Sequence, residues 1–203
     1  MTTETDDITA VIPMGSPQLE RDEGRVLADR FQEGDATAFD DIVAAYQEHM
    51  LRLAYRLLGW SPDAEDVVQE VLISALENLG GFRGEARFST WLTALTVNKC
   101  RSHRRRQLLR LRGLTRLASS IRIVSEPRQS DESLEIADQV RCAVQRLSAK
   151  CREVVVLRYF EELSVREISE ILHIPVNTVE TRLSRAGRKL RESLAVRLER
   201  GPT

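Results

Sequence analysis

One stretch of the chain, from Leu163 to Leu194, concentrates side chains that can hydrogen-bond to base edges and phosphates. Arginine, threonine and serine are suited to such contacts in a DNA major groove. At the period of an α-helix these side chains fall on one face, opposite a row of apolar residues. The polar face consists of Thr178, Thr181, Arg182, Ser184, Arg185, Arg188 and Lys189, and the apolar row of Val179, Leu183, Ala186, Leu190 and Leu194.

The residues before this face predict a first short helix and a sharp turn. Ser164 and Glu167 have the spacing of a capping box, which marks a helix start. Pro175 ends that helix because proline lacks the N–H that a continuing helix needs. The second helix should therefore begin near Val176 or Asn177. Two short helices with a tight turn are typical of a helix-turn-helix DNA reader, although an ordinary helical hairpin with a solvated charged face has the same pattern.

The composition predicts an all-helical fold. The 203 residues suffice for one domain or two small ones, and 42% hydrophobic and 30% charged residues suit a globular protein with long amphipathic helices. Ten glycines and six prolines are few for a β-sandwich. No apolar run is long enough to cross a membrane, and Cys100, Cys142 and Cys151 are too widely spaced for a zinc site. We therefore expect a cytoplasmic protein that needs no metal and no other cofactor.

The charges are unevenly distributed along the chain, although the net charge is only -1. The first 41 residues hold eleven acidic and three basic side chains, whereas eight basic and no acidic residues lie between Lys99 and Arg116. A chain of this kind can bind nucleic acid with one face. Residues 1–23 are predicted to form an acidic disordered tail.

Residues 24–112 are predicted to form one helical module. Gly34 should end a first helix, Asp35 should cap a second, and Ser61 with Pro62 should start a third. The third helix has a buried face that runs from Ala64 through Leu76 to Leu79. Its other face is acidic, with one exposed isoleucine, which suits docking against a basic partner helix or simple solvation. This face consists of Glu65, Asp66, Gln69, Glu70, Ile73 and Glu77.

A glycine-rich loop at 80–88 precedes a fourth helix, predicted from Trp91 to about Arg106. The loop holds two aromatic residues and two arginines, and the helix ends in the basic run. Aromatic side chains beside a basic track suit single-stranded nucleic acid, because bases stack on rings while cations neutralise the backbone. The alternatives are that Trp91 anchors the core and that the arginines are a solvated charge run.

The remaining chain is predicted to contain a flexible linker at 113–133 and a second helical module at 134–199 that ends with the helix-turn-helix. Three other functions are alternatives to a protein that binds both nucleic acid and a protein partner. A stand-alone helix-turn-helix regulator would leave the acidic face and the aromatic loop without a role. An enzyme lacks support because His49, His103 and His173 are scattered. A protein-binding adaptor would not explain the basic run.

Three motifs together resemble the conserved regions of bacterial sigma-70 family factors, most closely the small extracytoplasmic-function (group IV) class. They are DAEDVVQEVLISAL, FRGEARFSTWLTALTVNKCRSHRRR and LSAKCREVVVLRYFEELSVREISEILHIPVNTVETRLSRAGRKL, within a resemblance that covers residues 24–195. The resemblance implies sigma region 2 and sigma region 4 modules. It also implies a transcription initiation factor that binds core RNA polymerase, selects promoters and promotes DNA opening.

The resemblance implies specific partners and roles. Core polymerase would be bound through the β′ clamp coiled coil and the β flap, promoter DNA at the minus-ten and minus-thirty-five elements, and an anti-sigma factor would be a further partner. Polymerase would contact Asp63, Asp66, Gln69, Glu70 and Ile73. The opened minus-ten strand would contact Phe82, Arg83, Arg87, Phe88, Trp91, Asn98, Lys99, Arg101, Arg104 and Arg105. The minus-thirty-five duplex would contact Asn177, Thr178, Glu180, Thr181, Arg182, Ser184, Arg185 and Arg188.

Two residues depart from the family pattern. Glu180 stands where a basic residue is usual, and it can accept a hydrogen bond from cytosine N4 or simply repel phosphate. Gly187 stands where arginine is frequent, which removes a contact and weakens the helix by roughly 0.5–1 kcal/mol relative to alanine.

Overall fold

The computed structural model describes residues 23–84, 86–114 and 132–198, and the regular elements within these ranges are helices. The described residues divide into two compact units, one formed by residues 23–114 and the other by residues 132–198. These observations confirm the predicted all-α class. The predicted tail and most of the predicted linker lie outside the described residues. No helix in the described ranges is long and apolar enough to span a bilayer.

The first unit is a bundle of four helices: α1 (Glu23–Gln32), α2 (Thr37–Leu58), α3 (Ala64–Leu79) and α4 (Phe88–Leu114). Helices α2, α3 and α4 pack against one another around a shared core, and α1 covers one side. The predicted apolar rows supply this core because residues three or four apart share one face of a helix. Its largest fully buried side chains include Ile42, Met50, Leu53, Leu57, Val67, Val71, Leu79 and Leu92.

The starts of α2 and α3 can be compared with the capping residues that the sequence predicts. Asp35 was predicted to cap α2, but the N-cap residue is Ala36; the Asp35 carboxylate, one residue earlier, accepts hydrogen bonds from the backbone N–H and hydroxyl of Thr37. Bonds from Thr37 and Arg30 lower the pKa of the Asp35 carboxyl to about 2. The predicted start of α3 was wrong: Ser61 and Pro62 lie in a preceding turn, and the helix begins at Ala64.

The second unit contains α5 (Glu132–Arg146), α6 (Ala149–Val155), α7 (Val165–Leu172) and α8 (Val176–Leu198). The segment Val156–Phe160, which directly follows α6, is a π-helical turn that reaches the loop before α7. Apolar side chains from these elements form a second core that includes Val144, Val154, Leu157, Ile168 and Val179.

The helix-turn-helix of α7 and α8 forms as the sequence predicts. The Ser164 hydroxyl accepts from the Glu167 backbone N–H, and the Glu167 carboxylate accepts from the Ser164 N–H, which completes the capping box. His173 ends α7 in the left-handed conformation, with φ at 53°. The Ser169 hydroxyl donates to the Ile174 carbonyl at 2.6 Å, which ties α7 to the turn.

Candidate nucleic-acid and protein interfaces

Helix α8 presents the predicted polar face to solvent. Val179, Ala186 and Leu190 are buried against the unit, and the opposite side is open. The Thr181 hydroxyl donates to the Asn177 carbonyl at 2.6 Å, so it remains available to a ligand chiefly as an acceptor. Of the eight residues predicted to meet a duplex, Thr178 and Arg182 are half-buried, and the exposed ones are Asn177, Glu180, Thr181, Ser184, Arg185 and Arg188.

Gly187 lies within α8 at a position where a side chain would fit. A Cβ atom built there has no heavy-atom neighbour within 4 Å. The replacement Gly187→Ala should stabilise the second unit by about 0.5–1 kcal/mol, because alanine loses less backbone entropy than glycine on entering a helix. Denaturant unfolding of the full chain would measure this gain. A loss of stability would show that the backbone at Gly187 needs freedom that alanine lacks.

The outer face of α3 combines acidic groups with exposed apolar side chains. Ile73 is 59% exposed and Leu76 is 43% exposed, three residues further along the same face. Leu76 was predicted to be buried, which was wrong, because the partner helices contact a narrower face of α3 than its apolar pattern indicates. Asp66, Gln69 and Glu77 are exposed around this pair. An apolar pair within an acidic rim is typical of a protein-binding surface.

The groove between α3 and α4 brings acidic and basic groups into direct contact. The Arg106 guanidinium donates to both oxygens of the Glu70 carboxylate at 2.7 and 2.8 Å. His103 lies 3.2 Å from a carboxylate oxygen of Asp63, which also accepts from the Ser61 hydroxyl. The basic run, which has no acidic neighbour in sequence, therefore finds counter-charges on α3. Two of the five predicted polymerase contacts, Asp63 and Glu70, already have partners within the unit.

The helical phase divides the basic run of α4 into two faces. His103, Arg106 and Arg110 line the groove with α3. Asn98 and Arg105 are seven residues apart, share another face and are exposed. The basic residues of the predicted minus-ten set that are half-buried are Lys99, Arg101 and Arg104. Fewer cationic side chains are therefore exposed to a ligand than the eight basic residues between Lys99 and Arg116 suggest.

The loop between α3 and α4 is attached to an aromatic cluster. The Phe88 ring lies 5.4 Å from Tyr46, 5.3 Å from Phe82 and 5.4 Å from Trp91, measured between ring centroids. Phe88 was predicted to lie in the loop, which was wrong: it begins α4 and is only 4% exposed, so little of its ring is open to the predicted strand contact. Phe82 and Trp91 are half-buried, and Arg83 and Arg87 are exposed.

Sequence reasoning missed the part that α1 plays at this loop. The Gln32 amide donates to the carbonyls of Leu79 and Phe82. Arg25 lies against Gly84, whose φ of +70° favours glycine. A polar residue at a helix end carries no local signal for contacts made about fifty residues away. Among the described residues, no cluster of histidine, cysteine and carboxylate side chains is arranged to hold a metal ion.

A chain that combines a helix-turn-helix unit with a helical bundle carrying acidic and basic faces has the architecture typical of DNA-binding transcription factors. The family models of sigma-70 region 2 and sigma-70 region 4 match residues 42–109 and 137–190. The ECF RNA polymerase sigma factor SigW of Bacillus subtilis is 38% identical over 172 residues, which cover 80% of this chain and 92% of that protein. The chain belongs to the extracytoplasmic-function sigma factors of the sigma-70 family.

Further relatives and solved structures agree with this assignment. The RNA polymerase sigma-H factor of Pseudomonas aeruginosa is 31% identical over 190 residues, covering 87% of this chain and 96% of that protein. CnrH, solved in complex with the cytosolic domain of CnrY, superposes with a TM-score of 0.59 at 29% identity, covering 85% of this chain and 97% of that one. The sigma factor RpoE from Bartonella quintana has a TM-score of 0.64 at 23% identity, covering 79% and 99%, and shares the fold. The protein is an RNA polymerase sigma factor.

Proposed function

We propose that this sigma factor joins core RNA polymerase in the cytoplasm through the outer face of α3 and delivers it to promoters without catalysing a reaction itself. The observation that carries this proposal is the exposure of Ile73 and Leu76 within an acidic rim. Apolar side chains stabilise a complex by leaving water, and the acidic rim selects a basic partner surface. Asp66 and Gln69 complete this docking surface. The Glu70 carboxylate would join the surface when its ion pair with Arg106 breaks.

The first unit is proposed to hold the opened strand of the minus-ten element. Arg83 and Arg87 in the loop would bind phosphates, and Phe82 would stack with an unpaired base. Asn98 and Arg105 on the exposed face of α4 would extend the track. Phe88 is buried, and we propose that it supports Phe82 and Trp91 rather than contacting a base itself.

The second unit is proposed to read the minus-thirty-five element as duplex. The exposed face of α8 would enter the major groove, as in other helix-turn-helix proteins. Arg182 and Arg188 would bind phosphates, and Ser184 and Arg185 would meet base edges. Glu180 would accept from cytosine N4, which would give this protein a promoter preference of its own.

An anti-sigma factor is proposed as a regulatory partner. CnrH, to which this chain is 29% identical, was solved in complex with the cytosolic domain of a second protein, CnrY. A polypeptide that covers the outer face of α3 would hold this sigma factor inactive by excluding polymerase from the same surface.

Transcription in vitro tests the proposed function directly. Purified core polymerase would be given a library of promoter fragments with and without this protein. We expect specific initiation only when the protein is present, and the selected fragments would reveal which base Glu180 reads. Tight duplex binding without any association with core polymerase would instead identify a stand-alone regulator.

The ion pair between Glu70 and Arg106 leads to a further prediction. Glu70→Gln should raise the affinity of the free protein for single-stranded DNA, because Arg106 loses its bidentate partner and can bind phosphate. An exposed pair is worth about 0.2–1 kcal/mol, which corresponds to a gain of up to roughly five-fold. Asp66→Asn is the matched control, since it removes one negative charge from the same face. Equal gains in a fluorescence titration would mean that net charge alone is responsible.

A further inference from the structure

Gln32, the last residue of α1, connects this helix to the loop after α3. One side-chain amide supplies two N–H donors. Its Nε2 atom lies 3.3 Å from the Leu79 carbonyl oxygen and 3.0 Å from the Phe82 carbonyl oxygen. These carbonyls flank Gly80 and Gly81, where the chain leaves α3. Gln32 therefore holds both sides of the glycine turn from a helix about fifty residues earlier in the chain.

Among the described residues, the loop is also held by the packing of the Phe82 ring against Phe88 and Trp91 and by two short-range backbone bonds. Short-range bonds join the Gly81 N–H to the Asn78 carbonyl and the Phe82 N–H to the Leu79 carbonyl. Glycine has more backbone freedom than other residues, so a Gly-Gly turn loses more entropy when it is fixed. A Cβ atom built at Gly80 meets nothing within 4 Å, so packing does not fix this position. The two bonds from Gln32 offset part of this entropic cost.

Gln32 also lies in the wall of a groove of about 560 Å³ between α1 and the loop. Arg25, Asp29 and Gln32 line one side at helical spacing, and the loop residues line the other. Phe82 and Arg83, the side chains suited to stacking and phosphate binding, belong to the loop side. The Phe82 ring also packs against Phe88 and Trp91, and Gln32 holds the backbone carbonyl of Phe82, next to Arg83.

We propose that Gln32 is a positioning residue for capture of an unpaired base from the opened strand. It fixes the carbonyls of Leu79 and Phe82, and so presents Phe82 and Arg83 in one arrangement before DNA arrives. A loop that is ordered in advance binds more tightly because less entropy is lost on binding. The inference rests on the proposed function of the loop. Gln32 itself makes no DNA contact in this mechanism.

The test compares Gln32→Met with Gln47→Met in the full chain bound to core polymerase. Methionine has a similar length and helix propensity but no donor, and Gln47 is an exposed glutamine on α2. We expect Gln32→Met to weaken binding of single-stranded minus-ten oligonucleotides by about ten-fold, as the loss of two hydrogen bonds predicts. Gln47→Met should leave this affinity unchanged.

An abasic scan separates positioning from general damage to the fold. In the original protein, removing the captured base at one oligonucleotide position should weaken binding strongly. Gln32→Met should lose this dependence, so both proteins should bind that abasic oligonucleotide equally. Binding of core polymerase through α3 should not change.

Three results would overturn the inference: equal affinities for Gln32→Met and Gln47→Met, an unchanged abasic profile, or parallel loss of polymerase binding by Gln32→Met. Failure of the proposed function has a different signature. In that case the original protein would neither join core polymerase nor show a position-specific abasic effect.

Discussion

Ile73→Asp should lower the affinity of this sigma factor for core RNA polymerase by at least about 30-fold, which corresponds to the loss of a strong interface contact. Ile73 is 59% exposed on the outer face of α3, so its side chain gains by leaving water in a complex. A carboxylate at the same position would have to lose its hydration within the interface. Fluorescence anisotropy with purified core polymerase would measure the change.

Val26→Asp is the matched control for this experiment. Val26 is also β-branched and 53% exposed, but it lies on α1, away from the α3 face. Both substitutions place aspartate on an exposed helix position, so their effects on stability should be similar and small. If both variants bind polymerase equally well, the α3 face is not the docking surface.

Gly24→Ala should destabilise the first unit by about 1–3 kcal/mol, the usual cost of overpacking. Gly24 is buried in α1 where this helix approaches α2 and α4. A Cβ atom there would lie 2.6 Å from the Tyr46 hydroxyl oxygen and 2.8 Å from the Phe88 Cβ atom. The Phe88 Cβ atom is next to the backbone of α4, so α1 itself has to move. Because Phe88 supports Phe82 and Trp91, binding of single-stranded DNA should weaken as well.

Thermal unfolding of the full chain would measure this loss of stability. Gly187→Ala is the control, because it is expected to raise stability instead. Tyr46→Phe in the Gly24→Ala background should restore only part of the stability, since it removes the hydroxyl but leaves the Phe88 contact. Full restoration would mean that the hydroxyl alone limits the approach of α1. Unchanged stability of Gly24→Ala would contradict the close approach itself.

The acidic and basic surfaces of the first unit depend on each other. Arg106 belongs to the basic run but is bonded to Glu70 on the proposed polymerase surface. A basic partner that binds Glu70 would leave Arg106 free for phosphate, and DNA bound to Arg106 would leave Glu70 free for polymerase. Linkage requires that this coupling act equally in both directions. The two proposed interfaces can therefore strengthen each other through one pair of side chains.

Much of the fold could be predicted from the sequence because the deciding interactions are local. The capping box of Ser164 and Glu167 acts within one helical turn, and the structure confirms it. The predicted break before α8 is also present, but α7 ends at Leu172 with His173 in the left-handed conformation, before Pro175 is reached. The apolar rows of α2 and α8 identify their buried faces for the same reason. The π-helical turn at Val156–Phe160 could not be predicted, because no residue type in it distinguishes hydrogen bonds to the fifth preceding residue from the bonds to the fourth that an α-helix makes.

The candidate interfaces were predicted less completely, because side-chain exposure depends on neighbouring helices. Phe88 follows a glycine-rich segment in the sequence and was therefore predicted to lie in the loop, yet it is buried where α1, α2 and α4 meet. Leu76 continues an apolar row, yet it is 43% exposed, since none of the described helices covers that edge of α3. The helical spacing of apolar residues predicts neither the burial of Phe88 nor the exposure of Leu76.

The sequence by itself determined the helical class, the helix-turn-helix and the family, because caps, stops and periodic apolar residues act over short distances. Only the tertiary structure decided which charges remain available and which residue holds the loop. The Glu70–Arg106 pair joins residues 36 apart, and Gln32 reaches carbonyls 47 and 50 residues away. Such contacts depend on how the helices pack and rotate against one another. The sequence near each of these residues contains no signal for the packing of distant helices.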